Sequence, residues 1–248
     1  MHTIKEAEAW NSALGCAWAE QLRIQCLDVA GAVIEIGPGF TDKVARGLAA
    51  IGFRGTVVLV EPNAAAGAWA LARYRQLLPA AAVQMVRRAI PAGQIPAPPA
   101  VEALLANHIL DDLILHAALP PLSSQRLFAR MKPGADCAPA FIQVWRELFA
   151  QPARLERLLA QVAQEFTAYV QELQPRLVLL NQYPSWQHGQ HGLDSIHAPA
   201  LRLMQLLEAS LGAVCRPERG GFGSFSQRSL SWLVGTFHDS QLPRRITR

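Results

Sequence analysis

The sequence has few cysteines and no long apolar run, and each absence narrows the class of protein. The four cysteines show no paired spacing, so neither a disulfide framework nor a zinc site is indicated. No apolar run reaches the ~20 residues that a transmembrane helix needs, and the first residues lack the basic start and apolar stretch of a signal peptide. We therefore expect a cytoplasmic protein that has no membrane partner.

A basic stripe is also missing. Lysine and arginine total 23 against 19 acidic residues, and they are spread along the chain apart from a small cluster at 244–248. A dedicated nucleic-acid binder normally concentrates its basic residues on one face, so we do not expect a nucleic-acid partner. RNA as a substrate stays an open alternative. The Gly-x-Ser-x-Gly elbow of many hydrolases is absent too, and no catalytic triad is indicated.

The most informative stretch of the sequence is a strand that runs into two glycines. Val33 to Ile36 is a short β-rich run, Gly37 and Gly39 follow it, and a helical pattern starts at Asp42. Glycines at such a turn let the backbone approach a ligand closely, since a Cβ would collide with it. Glu61 ends the next buried run about 20 residues further on, where a carboxylate can accept both ribose hydroxyls of an adenosine.

In these residues the chain resembles a class I S-adenosylmethionine (SAM)-dependent methyltransferase. Glu35, Gly37 and Gly39 match the acid and Gly-x-Gly of that family's first motif, Thr41 stands where a third glycine is often found, and Glu61 matches the ribose-binding acid. The resemblance implies that SAM is the cofactor. It also implies that Glu35 and the Gly37-Pro38-Gly39 turn hold the methionine arm, and that Glu61-Pro62 lies at the ribose.

A nicotinamide or flavin dinucleotide is the rival ligand for the same turn. The full six-residue glycine fingerprint of dinucleotide-binding proteins is absent, because Lys43 and Val44 lie beyond the point where its last glycine should fall. A pyrophosphate also prefers a helix N-terminus without a neighbouring anion, and Glu35 would repel it. Both observations favour SAM.

The fold class that we predict is α/β, with a seven-stranded, mostly parallel Rossmann-like sheet. An antiparallel terminal pair closes the sheet, as is typical of the family. The fifth strand comes about 70 residues after the fourth, roughly twice what one strand–helix–strand unit needs. The excess indicates a helical insertion between strands 4 and 5. The predicted parts are an N-terminal helix, a SAM-binding domain in two segments, a helical cap and a tail: 1–29, 30–116 with 175–238, 117–174 and 239–248.

The end of the third strand is where the family often has an acid that contacts the adenine amino group. Arg88 stands roughly there instead of the acid, and it is a candidate cofactor-binding residue. We expect the backbone of Ala89 and the side chain of Ile90 to hold the adenine. A solvated position for the arginine is the open alternative.

The tip of the fourth strand carries a polar cluster that begins Asn107-His108 and continues to Asp111-Asp112. In the family this position faces the transferable group of SAM. We expect Asn107 to accept from the methionine ammonium, and His108 or Asp111 to take a proton from the acceptor. Asp112 is a candidate substrate contact. The alternative is an N-cap at Asn107, with the two aspartates favouring the dipole of the first helical turn.

The segment after the fifth strand is rich in histidine and aromatic residues. The spacing of its histidines matches no known metal motif, and Gly189 and Gly192 argue against a regular helix that would place them on one face. We predict no metal and interpret the segment as a loop that faces the substrate. The candidate substrate contacts there are Tyr183, Trp186 and His188, and Trp145 in the insertion is a further one.

Taken together, these features predict a SAM-dependent methyltransferase that acts on a nitrogen or oxygen nucleophile of a small molecule. A large helical cap suits an enclosed small substrate better than a tRNA or a protein. Two alternatives stay open: transfer of the aminobutanoyl arm of SAM, as in nicotianamine synthase-like enzymes, and a non-catalytic binding subunit with a SAM fold. The oligomeric state is undetermined, and a homodimer is one option.

Overall fold

The structure is a computed structural model of the chain. It describes residues 4–88, 100–129, 139–184, 192–212, 216–220 and 231–237, with the backbone alone for 4–7 and 216–220. Ala89, Ile90, Trp186 and His188, four of the predicted site residues, lie outside these ranges.

A single mixed sheet forms the centre of the molecule. Its strands follow the order β3-β2-β1-β4-β5-β7-β6. Strands β1 to β5 pair in parallel, while β7 is antiparallel to both β5 and β6. The predicted α/β class, with a mostly parallel sheet and an antiparallel terminal pair, is confirmed. The strands are β1 Ala32–Ile36, β2 Thr56–Val60, β3 Ala82–Val86, β4 Ala103–Asn107, β5 Leu177–Gln182, β6 Arg216–Gly220 and β7 Ser231–Thr236.

Helices cover both faces of the sheet. Buried residues of the first three pack on one face, and buried residues of the other five belong to the cluster on the opposite face. Because both faces are covered, the central strands are mainly apolar and do not alternate between apolar and polar residues. Their polar residues include Glu35 in β1, Asn107 in β4, and Asn181 and Gln182 in β5. The helices are α1 Ile4–Ile24, α2 Lys43–Ala50, α3 Ala64–Leu77, α4 Leu110–Ala118, α5 Pro121–Ala129, α6 Pro139–Phe149, α7 Pro152–Leu173 and α8 His197–Leu211.

Helix α1 packs closely on α2 and belongs to the core. Gly47 of α2 lies against Trp18 of α1, and a Cβ added at Gly47 would be only 2.6 Å from the Trp18 Cβ. Leu14, Trp18 and Leu22 are fully buried at helical spacing. The sequence left open whether this helix packs on the core or forms part of a lid, and these contacts favour the core.

The region between β4 and β5 is helical in its described part. The apolar stripe of α7, which includes Leu159, Phe166 and Val170, joins the same buried cluster as Leu104 and Val178 of the sheet. This helix is therefore part of the domain core. The capping of the active face by 117–174 stays a prediction.

The first strand of the terminal pair extends further than predicted. The sequence pattern predicts a strand over 213–216, whereas β6 continues to Gly220; 213–215 lie outside the described ranges. Its register with β7 pairs Arg216 with Thr236 and Gly220 with Trp232. β6 lies at the edge of the sheet, where Pro217 is tolerated because its missing N–H need not serve a further strand. None of the described helices has the length and apolar character that a membrane crossing requires.

Candidate functional site

The glycine turn after β1 brings bare backbone to the carboxyl edge of the sheet. Gly37 and Gly39 both have positive φ, +61° and +58°. The Gly37 N–H donates to the Val60 carbonyl at 2.8 Å, and a Cβ at Gly37 would be 2.9 Å from Cγ2 of Ile109. Glycine is therefore required at Gly37 both by the backbone angle and by the close approach of the chain after β4. Pro38, between the two glycines, is buried.

Glu61, at the end of β2, ties the first two strand ends together. Its carboxylate accepts the Gly39 N–H at 3.0 Å and the Asn63 N–H at 2.8 Å. Burial raises the pKa of Glu61, and these two hydrogen bonds act against that rise. Each carboxylate oxygen keeps a further lone pair, so the group remains able to accept ribose hydroxyls. Pro62 beside it is partly buried.

Glu35 points into the protein and has a partner there. The hydroxyl of Tyr74, on α3, donates to its carboxylate, and both side chains are fully buried. Burial raises the pKa of Glu35 to about 8; the Tyr74 hydrogen bond lowers it, and the charge of Glu61 raises it further. These contacts favour a supporting role for Glu35 beneath the turn, and its contact with the methionine arm stays a prediction. The sequence gives no indication of Tyr74.

A chain of hydrogen bonds fixes the side chain at the tip of β4. Trp18 Nε1 donates to Asn107 Oδ1 at 3.1 Å, and Asn107 Nδ2 donates to the Tyr183 hydroxyl at 3.3 Å. Lys43 Nζ donates to the same hydroxyl at 2.7 Å. These three hydrogen bonds join α1, α2 and the ends of β4 and β5. Asn107 is not the N-cap of α4, because that position belongs to Ile109, which makes no side-chain capping bond.

Tyr183 is enclosed by its neighbours. Its ring centroid lies 4.2 Å from that of His108 and 5.5 Å from that of Trp10, and Lys43 Nζ lies 5.2 Å from the ring centroid. The side chain is buried. This packing favours a role in positioning Lys43, Asn107 and His108 over the direct substrate contact that the sequence predicts.

His108 is held in a defined orientation beside Asp111. It has a left-handed backbone, with φ of +57°. Its Nε2 lies 2.8 Å from the Tyr183 carbonyl oxygen. A carbonyl oxygen only accepts, so Nε2 carries the hydrogen and Nδ1 is the nitrogen that can take a proton. Nδ1 faces Asp111 Oδ1 at 3.8 Å.

The aspartates that follow lie in a crowded polar environment. Asp111 is buried and accepts from Gln182 Nε2 at 3.3 Å, while Gln182 Oε1 accepts the Leu110 N–H. Burial, together with the charges of Asp111 and Glu61, raises the pKa of Asp112 well above its usual range. Asp112 therefore interacts electrostatically with both Asp111 and Glu61.

Three polar side chains near this site were not singled out from the sequence as site residues: Lys43, Gln182 and His197. Gln182 and Asn181 are the two polar residues that end a buried strand whose first four residues are apolar, and this change in polarity could have indicated Gln182. His197 begins α8. Burial lowers its pKa, as does the charge of His108, whereas Asp111 raises it. Its interaction with both of those groups places it near the predicted proton acceptor.

The remaining predicted residues lie elsewhere. Arg88 is exposed just after β3. Trp145 is fully buried in the core cluster, with its ring against Phe141 and Phe149, which favours a core role over substrate contact. Within the described ranges, no group of three or more His, Cys, Asp and Glu side chains is placed to hold a metal ion.

The residues at this edge fit SAM. A Cβ added at Gly39 would meet no atom nearer than the Gly37 carbonyl oxygen at 4.0 Å, so the turn is open at Gly39. Glu61 offers acceptors, and Asn107 and Lys43 offer an acceptor and a cation near the turn. The predicted repulsion of a pyrophosphate by Glu35 is not supported, because Glu35 is buried against Tyr74 and burial raises its pKa to about 8.

Known proteins resemble the chain in structure and not in sequence. No family profile and no curated protein matches the sequence. SibL, a SAM-dependent methyltransferase solved in its apo form, is 12% identical with a TM-score of 0.51, over 93% of this chain and 56% of SibL. A SAM-dependent methyltransferase from Aquifex aeolicus is 10% identical with a TM-score of 0.49, over 89% of each chain. The METTL16 methyltransferase domain is 12% identical with a TM-score of 0.48, over 90% of this chain and 66% of the domain.

At this level of identity the likeness to SibL shows a shared fold. The strand order, the glycine turn after β1 and the acid after β2 agree with it. The chain therefore has the Rossmann-like fold of the class I SAM-dependent methyltransferases.

Proposed function

We propose that the protein is a SAM-dependent methyltransferase that acts on a nitrogen or oxygen nucleophile of a small molecule. The observation that carries the proposal is the meeting of three groups at one edge of the sheet. They are the glycine turn, the Glu61 carboxylate bonded to that turn, and Asn107 at the tip of β4. These are the positions at which an open α/β sheet binds its ligand.

In this proposal the chain holds the cofactor and manages one proton. Bound SAM would supply a methyl group that is already activated by the sulfonium. Gly37 and Gly39 allow close backbone approach, Glu61 accepts the ribose hydroxyls, and Asn107 orients the methionine arm. His108 takes the acceptor's proton at Nδ1, and Asp111, 3.8 Å away, stabilises the imidazolium.

The proposal also gives the acceptor a position in the structure. We place it over the ends of β4 and β5, with Asp112 as a contact and the helices of 117–174 as a cap. An enclosed position of this kind favours a small molecule over RNA or protein. A cytoplasmic location belongs to the same proposal.

Calorimetric titration of the purified protein with SAM, and with NAD in parallel, tests the cofactor assignment. Binding of SAM in the micromolar range without binding of NAD is the expected result. Turnover that releases S-adenosylhomocysteine supports methyl transfer, whereas methylthioadenosine would indicate aminobutanoyl transfer. Absence of SAM binding would refute the proposal and favour a binding subunit.

A further inference from the structure

Lys43 carries an ammonium that is buried without a carboxylate partner. The residue is 7% exposed, and its Nζ donates to the Tyr183 hydroxyl at 2.7 Å. In the described part of the chain, no Asp or Glu oxygen forms an ion pair with it. An ammonium has three N–H donors, and a neutral hydroxyl satisfies only one of them. Buried charges are normally paired, so this one indicates an anionic ligand.

The acids close to Lys43 are already engaged. Asp42, its neighbour in sequence, accepts from Arg46 at 2.9 Å and from Arg73 at 2.7 Å. Burial alone raises the pKa of Asp42, but these two arginines outweigh that effect and the pKa is lowered. Glu61 is held by backbone N–H groups of the turn. Conversely, Arg46 is paired with Asp42 and Glu8, and Arg73 is paired with Asp42. Among the residues described, Lys43 is therefore the cation beside the turn that is left without an acid.

The surroundings of Lys43 identify the kind of anion. Lys43 and Asn107 both donate to the Tyr183 hydroxyl, so the two side chains lie on either side of one oxygen atom. Asn107 also presents an amide oxygen, which can accept from an ammonium. A cation and an amide oxygen on side chains that share one hydrogen-bond partner complement an α-amino-acid group, whose carboxylate and ammonium are attached to one carbon.

We propose that Lys43 binds the carboxylate of the methionine arm of SAM and makes the site selective for the carboxylated cofactor over its decarboxylated form. Tyr183 is the positioning residue, because its hydroxyl and ring hold the ammonium in place. The inference rests on the proposed function, and it adds a residue and a selectivity that the sequence motifs do not include.

The test is a cycle in which protein and ligand are both varied. Wild-type protein and Lys43→Met are titrated calorimetrically with SAM and with decarboxylated SAM. The variant is expected to bind SAM about 10- to 100-fold more weakly, as loss of a hydrogen bond to a charged group predicts, and decarboxylated SAM about as well as wild type does. Equal weakening for both ligands would mean that Lys43 only supports Tyr183, and no weakening for SAM would mean that it meets no carboxylate. Either result overturns the inference.

Three controls keep the outcome interpretable. Arg54→Met removes a positive charge from an exposed side chain and should leave both affinities unchanged. Lys43→Arg should restore part of the discrimination. If Lys43→Met does not fold, equal binding of the two ligands by wild-type protein would still overturn the inference. Wild-type protein that binds neither ligand refutes the proposed function, whereas wild-type binding with an unaffected Lys43→Met refutes the inference alone.

Discussion

Glu61 combines two tasks in one carboxylate. It fixes the glycine turn through the Gly39 N–H and the start of α3 through the Asn63 N–H, and the proposed function gives it the ribose as well. Asn63 links the start of α3 to α5. Its side chain caps α3, and its Nδ2 donates to the Phe128 carbonyl at 2.5 Å. A change at Glu61 should therefore affect both the ligand and the turn.

Glu61→Ala should weaken SAM binding by about 10- to 100-fold, because it removes a charged acceptor and releases two buried N–H groups. Glu61→Gln, which retains one acceptor oxygen, should lose less. Calorimetry measures the affinities and chemical denaturation checks that both variants are folded. Unchanged affinity in a folded Glu61→Ala protein would refute the assignment of this residue to the cofactor site.

Glu35 should make the stability of the protein depend on pH. Its pKa is about 8 in the folded state against an ordinary value of 4.5. Between these values the unfolded chain has lost a proton that the folded protein keeps, so the free energy of unfolding falls as the pH rises through this window. The slope has an upper limit of about 1.4 kcal/mol per pH unit.

Glu35→Gln removes this titration and keeps an acceptor for the Tyr74 hydroxyl. Relative to wild type, the variant should therefore gain stability steadily from pH 5 to pH 8. Chemical denaturation of both proteins across that range measures the difference, in which contributions of other titrating groups largely cancel. A difference that does not vary with pH would show that Glu35 is ionised in the folded protein.

At the scale of elements, the contact between α1 and α2 depends on two residues without side-chain bulk. Gly15 faces Arg46 and Gly47 faces Trp18, each so closely that an added Cβ would lie within 3 Å of the partner's Cβ. This close approach lets Trp18 reach Asn107 and places α1 beside the proposed cofactor edge.

Gly47→Ala should destabilise the protein by about 1–3 kcal/mol, since the new methyl overpacks the helix contact and this outweighs the better helix propensity of alanine. Ala50→Ser adds one atom at an exposed position of the same helix and serves as the control. Thermal unfolding monitored by circular dichroism compares the two. A Gly47→Ala protein as stable as wild type would contradict the described packing of α1.

Strands β1, β2, β4 and β5 could be predicted largely because each is mainly an apolar run bounded by glycine, proline or polar residues. β6 has no such run, since its sequence is Arg-Pro-Glu-Arg-Gly. The glycine turn and Glu61 could be predicted for a similar reason, since their spacing is local. Lys43 could not, because its contact with Tyr183 joins residues 140 positions apart and depends on how α2 lies on the sheet. The apolar stripe of α7 predicts that one face of the helix is buried. It does not predict which surface of the protein covers that face.

For the whole molecule, the inclusion of α7 in the core predicts one cooperative unfolding unit. Phe166→Ala should destabilise the protein by about 3–5 kcal/mol and shift the entire transition. Gln164→Ala, at an exposed position of the same helix, should change stability by less than about 0.5 kcal/mol. Far-ultraviolet circular dichroism and tryptophan fluorescence should give coincident curves, whereas two separate transitions would indicate that 117–174 unfolds as an independent unit.

The hydrogen bond between Trp18 and Asn107 has a consequence for synthesis in the cell. The two residues are 89 positions apart, so α1 leaves the ribosome long before its partner on β4. At a synthesis rate of about 5–20 residues per second, that delay is on the order of ten seconds. Throughout it the apolar side of α1, with Leu14, Trp18 and Leu22, lacks the sheet that later covers it. We therefore expect the nascent chain to engage chaperones that recognise such segments before the ligand edge of the sheet can form.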